Sequence, residues 1–232
     1  MDFTTLAFNP LSRMNEIVRY SSVYQETNEN LSEHITDVSV MAYLIAKHIE
    51  KITDGKDKLD IGVLLEKCLF HDADEVITGD IPRNTKYATT SAHNELSKVA
   101  DEAIDMVQSM LETDLREIWC NSKDGKEGII LKICDMLVVV KKAIVEIELR
   151  GNLSFLKVVT ELEGHLTKML ESLKQGYGSS PFPDDDNAFS EKSIIYLTDL
   201  VAQAKDEVTT IRVKYSHVIK KYMIKENVIK GE

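Results

Sequence analysis

The amino-acid sequence predicts an all-α protein, a helical bundle in one domain that closes on a long C-terminal helix. Three observations carry this. Breakers are scarce, with 10 Gly and 4 Pro in 232 residues, while Leu, Ile, Glu and Lys abound. Apolar residues recur at spacings of three and four, and no segment reads as an alternating strand pair. Apolar residues make up 43% of the chain, enough for a sizeable core.

Residues 10–24 read as a first helix, with Leu11, Met14, Ile17 and Val18 on one face. Asn28-Glu29-Asn30 is a break, and Asn30 or Ser32 is placed to cap a helix with Glu33 in its first turn. That helix carries Ile35, Val38, Met41, Ile45 and Ile49 and ends at Thr53-Asp54-Gly55. Leu59 to Phe70 is nearly all apolar and predicts a buried helix. Thr78 to Pro82 is a loop. Ser91 is placed to cap a helix running to about Met110 and continued over 112–120, and Asn121 to Gly125 is a turn. Gly128 to Arg150 is a second buried helix stopped by Gly151-Asn152, and a helix over 153–174 follows. The stretch 176–187, GYGSSPFPDDDN, is a loop, and Ser190 to about Ile224 is the terminal helix.

A formal net charge of −11 argues against a nucleic-acid polymer as partner, because a phosphate surface needs clustered Lys and Arg. It leaves room for a small anion held by local cations or a metal. Cys68, Cys120 and Cys134 match no paired pattern, and Cys68 and Cys134 sit in apolar runs, so buried reduced thiols are expected. The N-terminus lacks a basic region followed by an apolar one, and no apolar run reaches the roughly 18–20 residues of a membrane span. A soluble cytoplasmic protein with no membrane contact is the expectation.

Certain residues do not suit a plain bundle. Asp135 lies within Ile129 to Val140, with apolar neighbours on every face of the predicted helix, although a surface stripe with Lys132 and Lys142 is the competing reading. A buried carboxylate needs a cation, strong donors or a metal. His71-Asp72 ends an apolar run, and at a helix end both side chains can reach one ion. Imidazole and carboxylate together suit divalent ions such as Mn, Fe, Co, Ni or Zn. His34, in the first turn of its helix, faces the same way as Val38, Met41 and Ile45. His48, His93, His165 and His217 sit among charged residues and read as solvated. Glu75 is three residues beyond Asp72, on one face of a continuing turn. Such a carboxylate beside a metal suits proton transfer, while an acidic helix end made with Asp74 is an equal alternative.

Together, His34, His71-Asp72 and Asp135 resemble the H…HD…D pattern of the HD-domain metal-dependent phosphohydrolases. The blocks Glu33-His34, HDADEVITGDIP over 71–82 and Lys86-Tyr87 look like the bacterial 5′-deoxynucleotidase branch. Arg19-Tyr20 stands where that branch has Arg followed by Trp. The resemblance spans about 10–152, the metal-site core of a single domain over 1–232, with 153–232 as a helical C-terminal part. It implies one divalent metal ion (Co, Mn, Zn, Fe or Mg) on His34, His71, Asp72 and Asp135. It implies catalytic roles for Glu75 and Asp80, with acid and base unassigned. It implies substrate binding by Arg19 to phosphate, by Tyr20 against the sugar 2′ side and by Asp80 to a sugar hydroxyl. Lys86 is a further substrate-binding candidate, though its spacing also fits a surface lysine. A deoxyribonucleotide substrate and a homodimer or higher homo-oligomer follow from the same resemblance. A dNTP triphosphohydrolase of the phage dATP type is the alternative, and a non-catalytic nucleotide-binding bundle a remote third.

Overall fold

The computed structural model describes residues 2–111, 114–175 and 188–221. It is helical throughout, and among the described residues the extended pairing is a single antiparallel bridge between Val18 and Asn30. The chain divides into two compact units, Met1–Cys134 and Asp135–Glu232.

In the first unit, a short helix α1 (Phe3–Ala7) leads into a 3-10 turn at Pro10–Asn15. The predicted helix over 10–24 stops there. The chain turns back instead, with Leu31 N–H donating to the Ile17 carbonyl and Arg19 N–H to that of Glu29. Tyr20 takes a left-handed φ of 56°, which no helix accommodates. Met14 reaches the core, while Val18 is exposed.

Helix α2 (Leu31–Ile52) starts on Asn30, whose side chain accepts from Glu33 N–H while the Glu33 carboxylate accepts from Asn30 N–H. This reciprocal cap satisfies two donors the helix end would otherwise leave bare. Leu31, His34, Ile35, Val38, Ala42, Ile45 and Ile49 face inward at helical spacing, and Met41 is half-buried. The helix stops in a Schellman turn: Gly55 N–H returns to the Glu50 carbonyl and Asp54 N–H to that of Lys51, with Asp54 and Gly55 both left-handed.

Helix α3 (Ile61–Phe70) is capped by Asp60 and packs on α2. It is not buried all round as its composition suggests. Leu64 and Cys68 are buried, but Val63 and Leu69 are exposed, so one stripe is used. Two single turns follow, α4 (Glu75–Thr78) and α5 (Arg83–Lys86). Helix α6 (Thr90–Leu111) starts two residues earlier than predicted because Thr89, not Ser91, accepts from Ala92 N–H. Residues 112–113 lie outside the described residues, and α7 (Leu115–Cys120) is a separate helix. Arg116 ties it to α6 through Asp101 and Asp105. Lys67 of α3 donates to the Asn121 and Asp124 carbonyls beyond α7. Met14, Leu31, Ile35, Val76, Ile104 and Val107 form the core of this unit.

Helix α8 (Gly125–Ile144) ends sooner than predicted and passes into one π-helical turn, Val145–Leu149. That turn holds a buried ion cluster. Glu146 is fully buried and accepts from Lys142, Arg150 and the Asn152 side chain at 3.0, 2.8 and 2.7 Å. Lys142 is therefore not a surface residue. Helix α9 (Leu156–Lys174) then packs along α10 (Glu191–Lys214), with Glu163 receiving Thr209 and Arg212. The 176–187 loop and residues 222–224 of the predicted terminal helix fall outside the described residues. Cys68 and Cys134 are buried free thiols and Cys120 an exposed one.

Two helical glycines behave oppositely. A Cβ on Gly128 would lie 2.3 Å from the Lys123 carbonyl carbon, whereas one on Gly164 meets nothing within 4 Å. Gly to Ala inside a helix ordinarily gains about 0.5–1 kcal/mol. Chemical denaturation should show Gly164→Ala stabilising by about that amount. Gly128→Ala should be destabilising instead, because the backbone of the preceding turn must move.

Candidate metal centre

Helix α3 delivers the site. His71 is its C-cap, and the chain leaves through the turn 71–74, where Ala73 N–H bonds the Phe70 carbonyl and Glu75 N–H bonds that of Asp72. Leaving the helix here lets two consecutive side chains serve one point. His34, Nδ1 and Nε2 included, is brought to it from the first turn of α2.

One ligand atom from each of His34, His71 and Asp72 lies within 4.8 Å of the others. Both imidazoles are buried, with ring centroids 5.6 Å apart. The His71 Nδ1 lies 2.8 Å from the Cys68 carbonyl. A carbonyl only accepts, so Nδ1 carries the proton and donates. Nε2 is then the nitrogen that faces the cluster, 3.2 Å from Asp72 Oδ2. A nitrogen lone pair that close to a carboxylate oxygen is repulsive unless a cation, proton or metal, lies between them. The donor set and its outer hydrogen bond thus fit a divalent ion.

Arg19 reaches the same carboxylate, Nη1 donating to Asp72 Oδ2 at 3.3 Å, and its Nε lies 3.6 Å from Glu29 Oε1. Burial alone would push the Asp72 carboxyl up. His71, Arg19 and His34 outweigh it and hold Asp72 well below the usual carboxylate range. Glu75 goes the other way. Burial and the charges of Asp72 and Asp80 drive it well above its usual range, against a partial opposition from Arg19. Its Oε2 is buried and makes no hydrogen bond among the described residues. Asp74 is instead structural: its carboxylate accepts from Trp119 Nε1 at 2.9 Å.

Asp80 Oδ2 accepts from the Tyr20 backbone N–H at 2.7 Å, so the two predicted substrate residues are linked directly. Gly79, at φ 71°, makes the turn that brings Asp80 round. Lys86 ends α5, half-buried, and its charge reaches Asp74. Asp135 opens the second unit on α8. It is half-buried rather than fully buried, on a half-buried stripe with Lys132, Met136 and Val139. Of the other histidines, His48 and His217 are exposed, while His93 and His165 are half-buried, His93 against Tyr87.

Glu29 is the residue the sequence reading missed. It is buried, beside both Arg19 and His34. It falls in an irregular segment, where periodicity has no purchase, and the acidic residue in a break gave no sign of burial.

A helical fold with a His, His-Asp cluster at a helix end is the arrangement of an HD-type phosphohydrolase. The chain belongs to the YfbR-like 5′-deoxynucleotidase family, whose model matches residues 7–177. A 5′-deoxynucleotidase of Photobacterium profundum is 32% identical over 163 residues, 67% of this chain and 81% of its own. The 5′-deoxynucleotidase YfbR of Escherichia coli is 29% identical over 164 residues, 68% of this chain and 81% of its own. An HD-domain phosphohydrolase from Listeria innocua superposes with a TM-score of 0.62 at 26% identity, covering 89% of this chain and 98% of the other. The cyanophage S-2L HD phosphohydrolase, solved with dA and one catalytic Zn²⁺, shares the fold at a TM-score of 0.55 and 15% identity, covering 87% and 95%. The protein is accordingly a hydrolase of the HD class. No helix among the described residues is long and apolar enough to cross a membrane.

The Glu75 shift has a checkable sign. A carboxyl raised in the folded state favours folding at low pH. That contribution fades as pH rises from the ordinary value of 4.5 through the raised one. In chelator-treated protein, the melting temperature should fall more between pH 5 and pH 8 for the parent than for Glu75→Gln. Equal slopes would show that Glu75 does not feel Asp72 and Asp80. Glu75→Gln should also lose about 100-fold or more in turnover, the usual scale for a removed proton-transfer group.

Proposed function

We propose that the protein is a divalent-metal-dependent 5′-deoxynucleotidase, turning a deoxynucleoside 5′-monophosphate and water into deoxynucleoside and phosphate. The observation that carries this is Arg19 on Asp72. A planar cation suited to phosphate is held against the carboxylate of the His34, His71, Asp72 cluster, with a protonatable Glu75 one turn away. Family membership supports the same reaction.

His34, His71 and Asp72 would hold one divalent ion, with Asp135 as the fourth ligand on the H…HD…D order. Once bound, such an ion neutralises phosphate charge and lowers the pKa of water. Co, Mn, Zn, Fe and Mg are the ions to compare. Arg19 passes from Asp72 to the phosphate oxygens when substrate enters. Glu75, kept protonated by burial and by Asp72 and Asp80, donates to the leaving 5′ oxygen. Asp80 keeps one oxygen on Tyr20 N–H and offers the other to a sugar hydroxyl. The Tyr20 ring stands beside the sugar 2′ position and disfavours ribose. Lys86 adds positive charge near the phosphate. We read 1–232 as one functional domain, and the family match over 7–177, which runs past the unit boundary at Cys134, supports that reading for the part it covers.

Product analysis across dNMP, dNDP, dNTP and NMP with each metal tests the reaction. Phosphate released from dNMP and not from NMP is expected. Nucleoside plus tripolyphosphate from a dNTP would replace this reading with a triphosphohydrolase. Absence of any product in protein that binds metal would leave only a nucleotide-binding bundle. Arg19→Ala should raise KM or lower kcat by about tenfold to 1,000-fold, the range for a lost charged hydrogen bond of ~1.5–3 kcal/mol and the phosphate orientation that goes with it.

We also propose a homodimer or larger homo-oligomer. Val40, Tyr43 and Leu44 on α2 and Met106 and Met110 on α6 expose large apolar side chains. Light scattering should give at least twice the chain mass of 26.2 kDa. A mass near one chain would refute it.

A further inference from the structure

We propose that Glu29 is a positioning residue that sets both the metal-ligating histidine and the phosphate-binding arginine from one carboxylate oxygen. The inference rests on the reading of the His34, His71, Asp72 cluster as the metal site and of Arg19 as the phosphate ligand. Glu29 Oε1 lies 3.6 Å from Arg19 Nε and 3.9 Å from His34 Nδ1. The Glu29 side chain is about nine-tenths buried, that of Arg19 equally so, and His34 completely.

The local chain explains why the carboxylate is there. Glu29 immediately precedes Asn30, the cap of α2, so the residue that fixes the helix start also fixes its neighbour. Its carbonyl receives Arg19 N–H at 2.9 Å, and its own N–H donates to Gln25 Oε1 at 3.3 Å. Gln25 in turn donates to the Arg19 carbonyl at 2.6 Å. Arg19 and Glu29 are thus locked backbone to backbone, and their side chains must share one side of the strap.

Two effects follow. A carboxylate facing His34 Nδ1 favours the proton on that nitrogen and leaves Nε2 to face Asp72 Oδ2, 3.9 Å away. This gives His34 the outer partner that the Cys68 carbonyl gives His71. A carboxylate facing Arg19 Nε holds one edge of the guanidinium while Nη1 turns to Asp72. Both separations exceed a close hydrogen bond, so the influence is electrostatic in this state and free to tighten when the site fills.

The experiment is a Co²⁺ titration of full-length parent, Glu29→Ala and Glu29→Gln by calorimetry, followed by titration of the Co²⁺-loaded proteins with inorganic phosphate. Melting temperature is recorded alongside. Glu29→Ala should bind Co²⁺ about tenfold or more weakly, the usual cost of losing an outer partner, and should bind phosphate several-fold more weakly. Glu29→Gln, whose amide oxygen still accepts, should recover part of both. Unchanged Co²⁺ and phosphate affinities would overturn the proposal, including when the melting temperature falls, since that marks a purely structural residue. If Glu29→Ala does not fold, Glu29→Gln decides alone: a loss in both titrations supports the proposal and parent values overturn it. These readouts need no turnover. A parent that releases no phosphate from dNMP refutes the nucleotidase reading and leaves Glu29 to be judged by the titrations.

Discussion

The site turns on the negative charge of Asp72. Taking a carboxylate out of water costs several kcal/mol unless positive charge meets it. Here Arg19 supplies that charge from the strap before α2, and the Nε2 atoms of His71, at the end of α3, and His34, at the start of α2, face the same oxygen at 3.2 and 3.9 Å as places for a cation. Each has its own restraint. The Cys68 carbonyl orients His71, the capped first turn of α2 places His34, and the Val18–Asn30 bridge sets the approach of Arg19. The concentration of cationic and cation-binding groups about one oxygen is what a divalent ion and a phosphate both require.

How much of this was legible depended on the kind of chain carrying it. His34 and His71-Asp72 were readable because helices impose a period. An inward histidine on α2 and a polar pair ending α3 both stand out against apolar neighbours. The same logic misled at the N-terminus. Leu11, Met14, Ile17 and Val18 are spaced like a helix face, but the Ile17 carbonyl pairs with Leu31 N–H and Tyr20 turns left-handed. Tertiary pairing overrode local pattern there, and Glu29, within that pairing, carried no periodic signal. Helix α3 shows the converse error: its composition is apolar, yet Val63 and Leu69 are exposed, because composition cannot say how many faces are covered.

Charged residues inside apolar helices need individual treatment. Lys132, Asp135, Lys142 and Glu146 look alike in the sequence of α8 and its continuation. Glu146 is completely buried and accepts from Lys142, Arg150 and Asn152. Removing one member would strand the others, and the network coincides with the π-turn that ends the regular helix. Asp135 and Lys132 sit on a half-buried stripe instead. One run of sequence thus holds a structural ion cluster and a candidate ligand, and only burial separates them.

Two carboxylates on one turn complete the chemistry. Asp72 and Glu75 are joined by a backbone hydrogen bond, yet the fold drives their protons in opposite directions. Asp72 faces Arg19 and the two imidazoles and is held well below the usual carboxylate range. Glu75 faces Asp72 and Asp80 with a buried oxygen and favours the neutral form. The influence runs from one to the other: the charge of Asp72 is part of what raises the Glu75 carboxyl. An anion to hold a metal and an acid to release a leaving group are both needed in phosphate-ester hydrolysis, and separating two like residues by environment supplies both. The sequence offered Glu75 and Asp80 equally for proton transfer. Asp80 is tied to Tyr20 N–H, whereas the Glu75 Oε2 is buried and its carboxyl is raised by its surroundings, and this is what supports the proposal of Glu75 as the acid.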